Sequence, residues 1–250
     1  MPKRTLTADD LKHLPNDMIR EISRFHPLLI PPFTNDALRR AVRDYLTGGE
    51  LKDRIVTKYG EISNWDTSRV TSMFALFSIN IMLSSMHMTR CLPDRSIQLN
   101  MIKGAKSFNK PLNNWDVSKV KNMDHMFCGA TSFNQPLDKW NVSNVETMEA
   151  MFHRAKSFNQ PLHSWDVSKV KDMKFVFACA TSFNQPLNSW DVSNVENMSF
   201  MFQGATTFNQ PLNSWDVQYG TCMFSGAISF NQPLHAPWYE HYPSSDSDDY

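Results

Sequence analysis

The amino-acid sequence predicts a repeat solenoid, a stack of 25-residue coils running over residues 63–234, and three observations predict it. Tryptophans stand at 65, 115, 140, 165, 190 and 215, spaced by 25 residues or twice that, with Arg90 in the one vacant position. A phrase of the form Phe-Asn-Gln-Pro-Leu recurs in the same register, as at residues 133–137, 158–162 and 183–187. Between them Val120, Met123, Met126, Phe127 and Ala130 fall at steps of three or four, the period of a short helical or 3-10 turn with one apolar face.

Composition narrows the function classes. Lysine plus arginine equals aspartate plus glutamate at 25 each, so no global field draws the chain to nucleic acid or to an anionic membrane. Residues 70–89 lack Asp, Glu, Lys and Arg, yet they carry Ser, Thr, Asn80 and His87 and keep the repeat phase, so no membrane span is expected. The first ten residues have no apolar run of the signal-peptide kind, which makes a cytoplasmic rather than a secreted setting the expectation. Cys91, Cys128, Cys179 and Cys222 form no Cys-x-x-Cys pair, and His125 before Cys128 has no second ligand pair. Nucleophile-elbow, zinc-protease, P-loop and dinucleotide motifs are missing from the sequence, so no enzymatic activity, metal or cofactor is expected.

The elements follow in order. Residues 1–34 read as a helical segment, with Asn16 placed to cap an amphipathic turn. Residues 35–62 read as a capping helix, which the first coil needs because its apolar end would otherwise face water. About seven coils come next over residues 63–234; those headed by Trp65 and Arg90 are eroded, and the one headed by Trp215 is shortened. Gly104, Gly129, Gly204 and Gly226 precede an alanine where a left-handed residue would end the turn, with Arg154 and Cys179 in the same place in two coils. One short parallel strand per coil is expected just after proline, around Leu137 to Val142, because Pro136 cannot donate to a ladder. Residues 235–250 end in an acidic tail expected to be ordered only by a partner.

Inward positions then form ladders. Phe133, Leu137, Trp140, Val142, Val145, Met148, Met151, Phe152 and Ala155 should each meet an equivalent in the next coil about 4.8 Å away. Trp115, Trp140, Trp165, Trp190 and Trp215 make one such ladder. Asn109, Asn134, Asn159, Asn184 and Asn209 make another, expected to be buried and to bond turn backbone. Lys121, Glu146, Lys171 and Glu196 alternate in sign down one column, which suggests a duplication of two units.

The unit Met-x-x-Met-Phe-x-x-Ala-x-Ser-Phe-Asn-Gln-Pro-Leu-x-x-Trp-Asp-Val-Ser closely resembles the repeats first noted in mycoplasma surface proteins, which are grouped with bacterial-surface-protein-like leucine-rich repeats and occur also in large DNA viruses and protists. The resemblance implies a leucine-rich-repeat-like fold and a non-enzymatic scaffold for other proteins, such as a structural component of a large-virus particle, in the cytoplasm or the virion. The helix 36–46 followed by Tyr59-Gly-Glu-Ile-Ser-Asn-Trp65 also resembles that family's opening. Leu14, Pro15, Met18, Ile19 and Ile22 resemble the start of an F-box, which implies docking to a Skp-type adaptor and a role as substrate adaptor of a ubiquitin ligase. Later F-box helices are not recognisable, since Pro27, Pro31 and Pro32 interrupt the chain, and the same apolar residues also fit a helix packed on the solenoid end.

Overall fold

A computed structural model describes residues 30–78, 103–217 and 220–232. The chain opens with two helices, α1 Asn35–Thr47 and α2 Gly49–Tyr59. Leu38, Ala41, Val42, Tyr45 and Leu46 give α1 one buried face, and the Thr34 hydroxyl oxygen caps it by accepting from the Ala37 N–H at 3.3 Å. Gly48 sits at φ 78° between the helices, so the expected single helix over 35–62 is two, followed by a 3-10 turn at Ile62–Asn64. No residue of α2 is fully buried; Ile55, Val56 and Tyr59 lean on the core instead.

Each unit then repeats one path. An Asx turn follows the tryptophan, as where Asp116 Oδ1 accepts from the Ser118 N–H at 3.0 Å, and Val120 closes a second turn onto the Val117 carbonyl at 2.9 Å. Next comes the segment that joins coils. Met123, His125, Phe127 and Gly129 donate forward to the carbonyls of Thr147, Glu149, Met151 and His153 in the following unit. The residues between them, Met126, Cys128 and Ala130, donate back three positions to Met123, His125 and Phe127.

This alternation replaces the expected helical turn. Three-residue-back bonds do form, but His125 at φ 56° and Gly129 at φ 76° flip the backbone between them, so the turn cannot propagate into a helix. Every second N–H is thereby aimed along the stack. Other units repeat the pattern with Ala150, Arg154, Phe175, Cys179 and Phe200 at positive φ, so the left-handed position before alanine is kept at Arg154 and Cys179, where glycine is absent. It is not kept at Gly104, which lies in helical residues 103–107 without a positive φ.

The expected strand is displaced. Residues 137–142 hold turns, with Trp140 donating to the Leu137 carbonyl at 3.1 Å, and among the described residues there is no strand. Parallel pairing is confined to single bridges joining Ser72, Asn122, Thr147, Asp172 and Asn197 in succession. The physical reason is that the Leu137 carbonyl is taken up by the turn and by the indole of Trp165, at 3.0 Å, leaving nothing for a ladder there.

A second difference concerns coil order. Ser72 bridges directly to Asn122, Trp65 stacks on Trp115 with ring centroids 6.3 Å apart, and Phe77 stacks on Phe127 at 5.4 Å. No place remains between them for a coil headed by Arg90. Instead Phe108 stacks on Phe77 at 4.3 Å, as Phe133 stacks on Phe127 at 4.1 Å within one unit. The first coil is thus assembled from residues 65–78 and 103–114, and residues 79–102, Cys91 included, lie outside the described residues.

The core is one continuous column from α1 to Met223. Phe127, Phe152, Phe177 and Phe202 follow one another at 5.6 to 5.7 Å, and Phe133, Phe158, Phe183 and Phe208 at 6.0 to 6.1 Å, all nearly parallel. Offset stacking of this kind adds roughly 0.5–1.5 kcal/mol per pair beyond area burial.

Candidate interaction surface

The tryptophans lie inside the stack, each 3% exposed. Trp140, Trp165, Trp190 and Trp215 donate their indole N–H to the carbonyls of Leu112, Leu137, Leu162 and Leu187 at 2.9 to 3.1 Å. Trp115 does the same to Ile62 at 2.7 Å, which again sets the Trp65 unit directly before it. These side chains hold coils together and are not presented to a partner.

The asparagines are half-buried or exposed rather than buried, and they bond along the stack. Asn109 Oδ1 accepts from the Asn134 N–H and the Gln135 amide, both at 3.0 Å. Asn134, Asn159 and Asn184 repeat this toward Asn159, Asn184 and Asn209 and their following glutamines. One side-chain oxygen per coil therefore satisfies a backbone donor and a side-chain donor of the next. Asn209 closes the series on Asn231 at 3.2 Å and Gln232 at 3.0 Å.

A third column is charged. Lys121 pairs with Glu146 at 2.8 Å and Lys171 with Glu196 at 3.8 Å, while Lys169 donates to Asn144 Oδ1 at 2.8 Å. The hydrogen bond and charge of Lys121 hold the Glu146 carboxyl below its ordinary value and raise the Lys121 ammonium in return. Asn144 and Asn194 reach back to the carbonyls of Ser118 and Ser168, so the bonding on this face also repeats every second coil.

A strip at and beside the left-handed positions carries a different chemistry. Phe74 meets the His125 ring edge-on at 6.0 Å, His153 lies 6.0 Å from Phe175, and Phe175 stacks on Phe200 at 4.9 Å. All five side chains are half-buried, and the Lys174 ammonium sits 5.2 Å over Phe175. Burial first, then the charges of Arg154 and His125, push the His153 imidazole down to about 4. His153 is therefore neutral near pH 7 and lies 3.7 Å from the Cys128 thiol, which is fully buried. A thiol so placed packs; it offers no nucleophile to solvent.

The repeat pattern alone does not single out this strip. His125, Phe175 and Phe200 take the positive φ position, where other coils have Ala75 and the buried Ala150, and Phe74 and His153 join them from neighbouring positions. Leu14, Pro15, Met18, Ile19 and Ile22, proposed for docking from the sequence, lie outside the described residues, as does the acidic tail. Among the described residues no group of three His, Cys, Asp or Glu side chains is placed to hold a metal ion, and no helix is long and apolar enough to cross a membrane.

The stacking of one unit on the next can be set against known families. A family described as Mycoplasma protein of unknown function, DUF285, matches residues 54–89, 95–177 and 161–240. The chain belongs to this family. The matched segments cover most of the chain, including every described coil and the C-terminal half of α2. No curated protein and no solved structure matches it.

Proposed function

We propose that this member of the DUF285 family is a non-enzymatic interaction scaffold, a leucine-rich-repeat-like solenoid that binds another protein along the strip of Phe74, His125, His153, Phe175 and Phe200. The observation that carries this reading is that aromatic rings are held half-exposed, one per coil or nearly so, on a backbone bonded from coil to coil. Aromatic side chains held at low conformational cost are the usual anchors of protein interfaces. Asp124, Glu149 and Lys174 flank the strip, so its rim carries both signs and favours a partner of mixed polarity. In a large assembly such as a virus particle, a stiff rod of this kind would join larger subunits.

The test is affinity capture with the full chain and with a Phe175→Ser, Phe200→Ser variant, followed by identification of the bound proteins. Loss of a partner with little change in melting temperature is expected. Retention of every partner by that variant, with loss in a Leu14→Ala, Ile19→Ala variant, would replace the strip with the F-box-like segment and turn the reading toward a ubiquitin-ligase adaptor.

A further inference from the structure

The first coil has no coil before it, and α1 stands in for the missing one at some positions and not at others. In later coils the backbone N–H of the residue before the bridge donates to the preceding unit, as Glu146 does to Lys121 at 2.8 Å. At Thr71 and Ser72 the acceptor is the Asn35 side-chain oxygen on α1, at 2.9 and 3.3 Å. The Trp65 indole finds the Gly60 carbonyl at 3.0 Å. So far the helices imitate a coil.

At the head of the asparagine ladder the imitation stops. Asn134, Asn159, Asn184 and Asn209 each donate their N–H to the asparagine oxygen of the unit before, and Gln135, Gln160, Gln185 and Gln210 add a second donor to that same oxygen. Asn109 has no such oxygen in front of it, and among the described residues nothing accepts its N–H. The residue after it is also changed: Lys110 stands where every later coil has glutamine. In front of the pair lies a cleft of about 270 Å³, lined also by Tyr45, Gly48, Lys52 and Ser107. Tyr45 is 5% exposed and its hydroxyl has no hydrogen-bond partner, while the Lys52 ammonium lies 4.8 Å from its ring.

We propose that this cleft is a carboxylate site, in which a carboxylate oxygen takes the place of the missing asparagine oxygen and accepts from the Asn109 N–H and the Lys110 ammonium. The geometry of the later coils defines where that oxygen sits, since one acceptor there already serves two donors. Exchanging the glutamine amide for an ammonium changes the preferred acceptor from a neutral amide to an anion, because a charge-assisted bond is about twice as strong as a neutral one. Lys52 on α2 supplies a second positive charge to the same cleft. The carboxylate has two sources: a small free acid, or an acidic peptide such as the chain's own segment 244–249, Ser-Ser-Asp-Ser-Asp-Asp, acting in the same molecule or in a second copy.

The experiment is amide-resolved NMR of the full-length chain titrated with glutarate, with its neutral diamide, and with a synthetic peptide of residues 244–250. A saturable shift of the Asn109 amide by glutarate or by the peptide, none by the diamide, and at least about tenfold weaker binding in Lys110→Gln are expected, a loss corresponding to about 1.4 kcal/mol. Lys139→Gln, a change at an exposed lysine outside the cleft, should leave the titration unaltered. Saturation by the peptide at least tenfold below glutarate assigns the site to acidic segments; equal affinity assigns it to small acids. An Asn109 amide that stays still, responds equally to the diamide, or responds equally in Lys110→Gln overturns the proposal. Lys110 is exposed and glutamine is its counterpart in every later coil, so the variant folds and the comparison holds.

Discussion

Trp165 is 3% exposed, its indole N–H bonds Leu137 at 3.0 Å, and its ring lies between Trp140 and Trp190 at 6.3 and 6.4 Å. Replacing it with alanine removes contacts on two coils at once and leaves the Leu137 carbonyl with one partner fewer. Trp165→Ala should therefore cost about 3–5 kcal/mol, read as a lowered midpoint in urea. Backbone conformation gives a prediction of opposite sign. Arg154 is held at φ 59° with its side chain exposed, in the register where Gly129 and Gly204 stand at φ 76° and 64°. A left-handed L-residue costs about 1–2 kcal/mol, and glycine gives back roughly 0.5–1 kcal/mol through its freer unfolded chain. Arg154→Gly should raise stability by the difference, about 0.5–1 kcal/mol, seen as a higher melting temperature. A fall on this substitution would mean that the Arg154 side chain makes a stabilising contact.

The elements were legible to different degrees. Every apolar position placed inward from its period, from Phe133 through Ala155, is buried, because spacing alone decides which side chains share a face. What the spacing could not reveal is the backbone path between them. His125, Ala150 and Phe175 are ordinary residues, and nothing in their identity announces a left-handed conformation, so a helical turn was the natural expectation where a chain of separate turns occurs. The bridge positions are Asn122, Thr147, Asp172 and Asn197, mostly residues poor in strand propensity, so nothing in their identity marks the pairing, whereas Pro136 directs the expectation of a strand to the residues after it. Junctions between elements were hidden as well. Gly104 looks like one more turn glycine, yet a Cβ there would run into the carbonyl oxygen of Leu46 at the end of α1. Gly104→Ala should therefore push α1 off the first coil and cost about 3 kcal/mol. Hydrogen exchange would show the loss first in the amides of α1.

At the scale of the whole molecule, the unbroken 25-residue period hid the fact that the stack skips a beat between Trp65 and Trp115. Phe77 and Phe108 touch at 4.3 Å although they lie one repeat length further apart in sequence than Phe127 and Phe133 do. Removing residues 79–103 would join Ser78 to Gly104 and recreate the pattern Cys128-Gly129-Ala130 as Ser78-Gly104-Ala105. This shortened chain should fold with its melting temperature within a few degrees of the parent, since the new junction restores the spacing between the two halves of a coil found from Phe127 to Phe133. Failure to fold would show that the removed residues are part of the core. The one-way donation from Met123, His125, Phe127 and Gly129 to the following unit recurs down to Gly204, which donates to Ser225 at 2.8 Å. Peptide dipoles on that side of the stack consequently point in the same direction, their positive ends toward the last coil. At Cys222 and Gly226 the series ends with N–H groups that no described residue accepts. That side is polar in the sense opposite to an α-helix, while elsewhere in each coil Glu146, Ser157 and Lys171 donate backward to Lys121, Thr131 and Glu146. The dipoles of the two sides therefore oppose, and two copies brought together through their last coils would meet with like charge only where these N–H groups face one another.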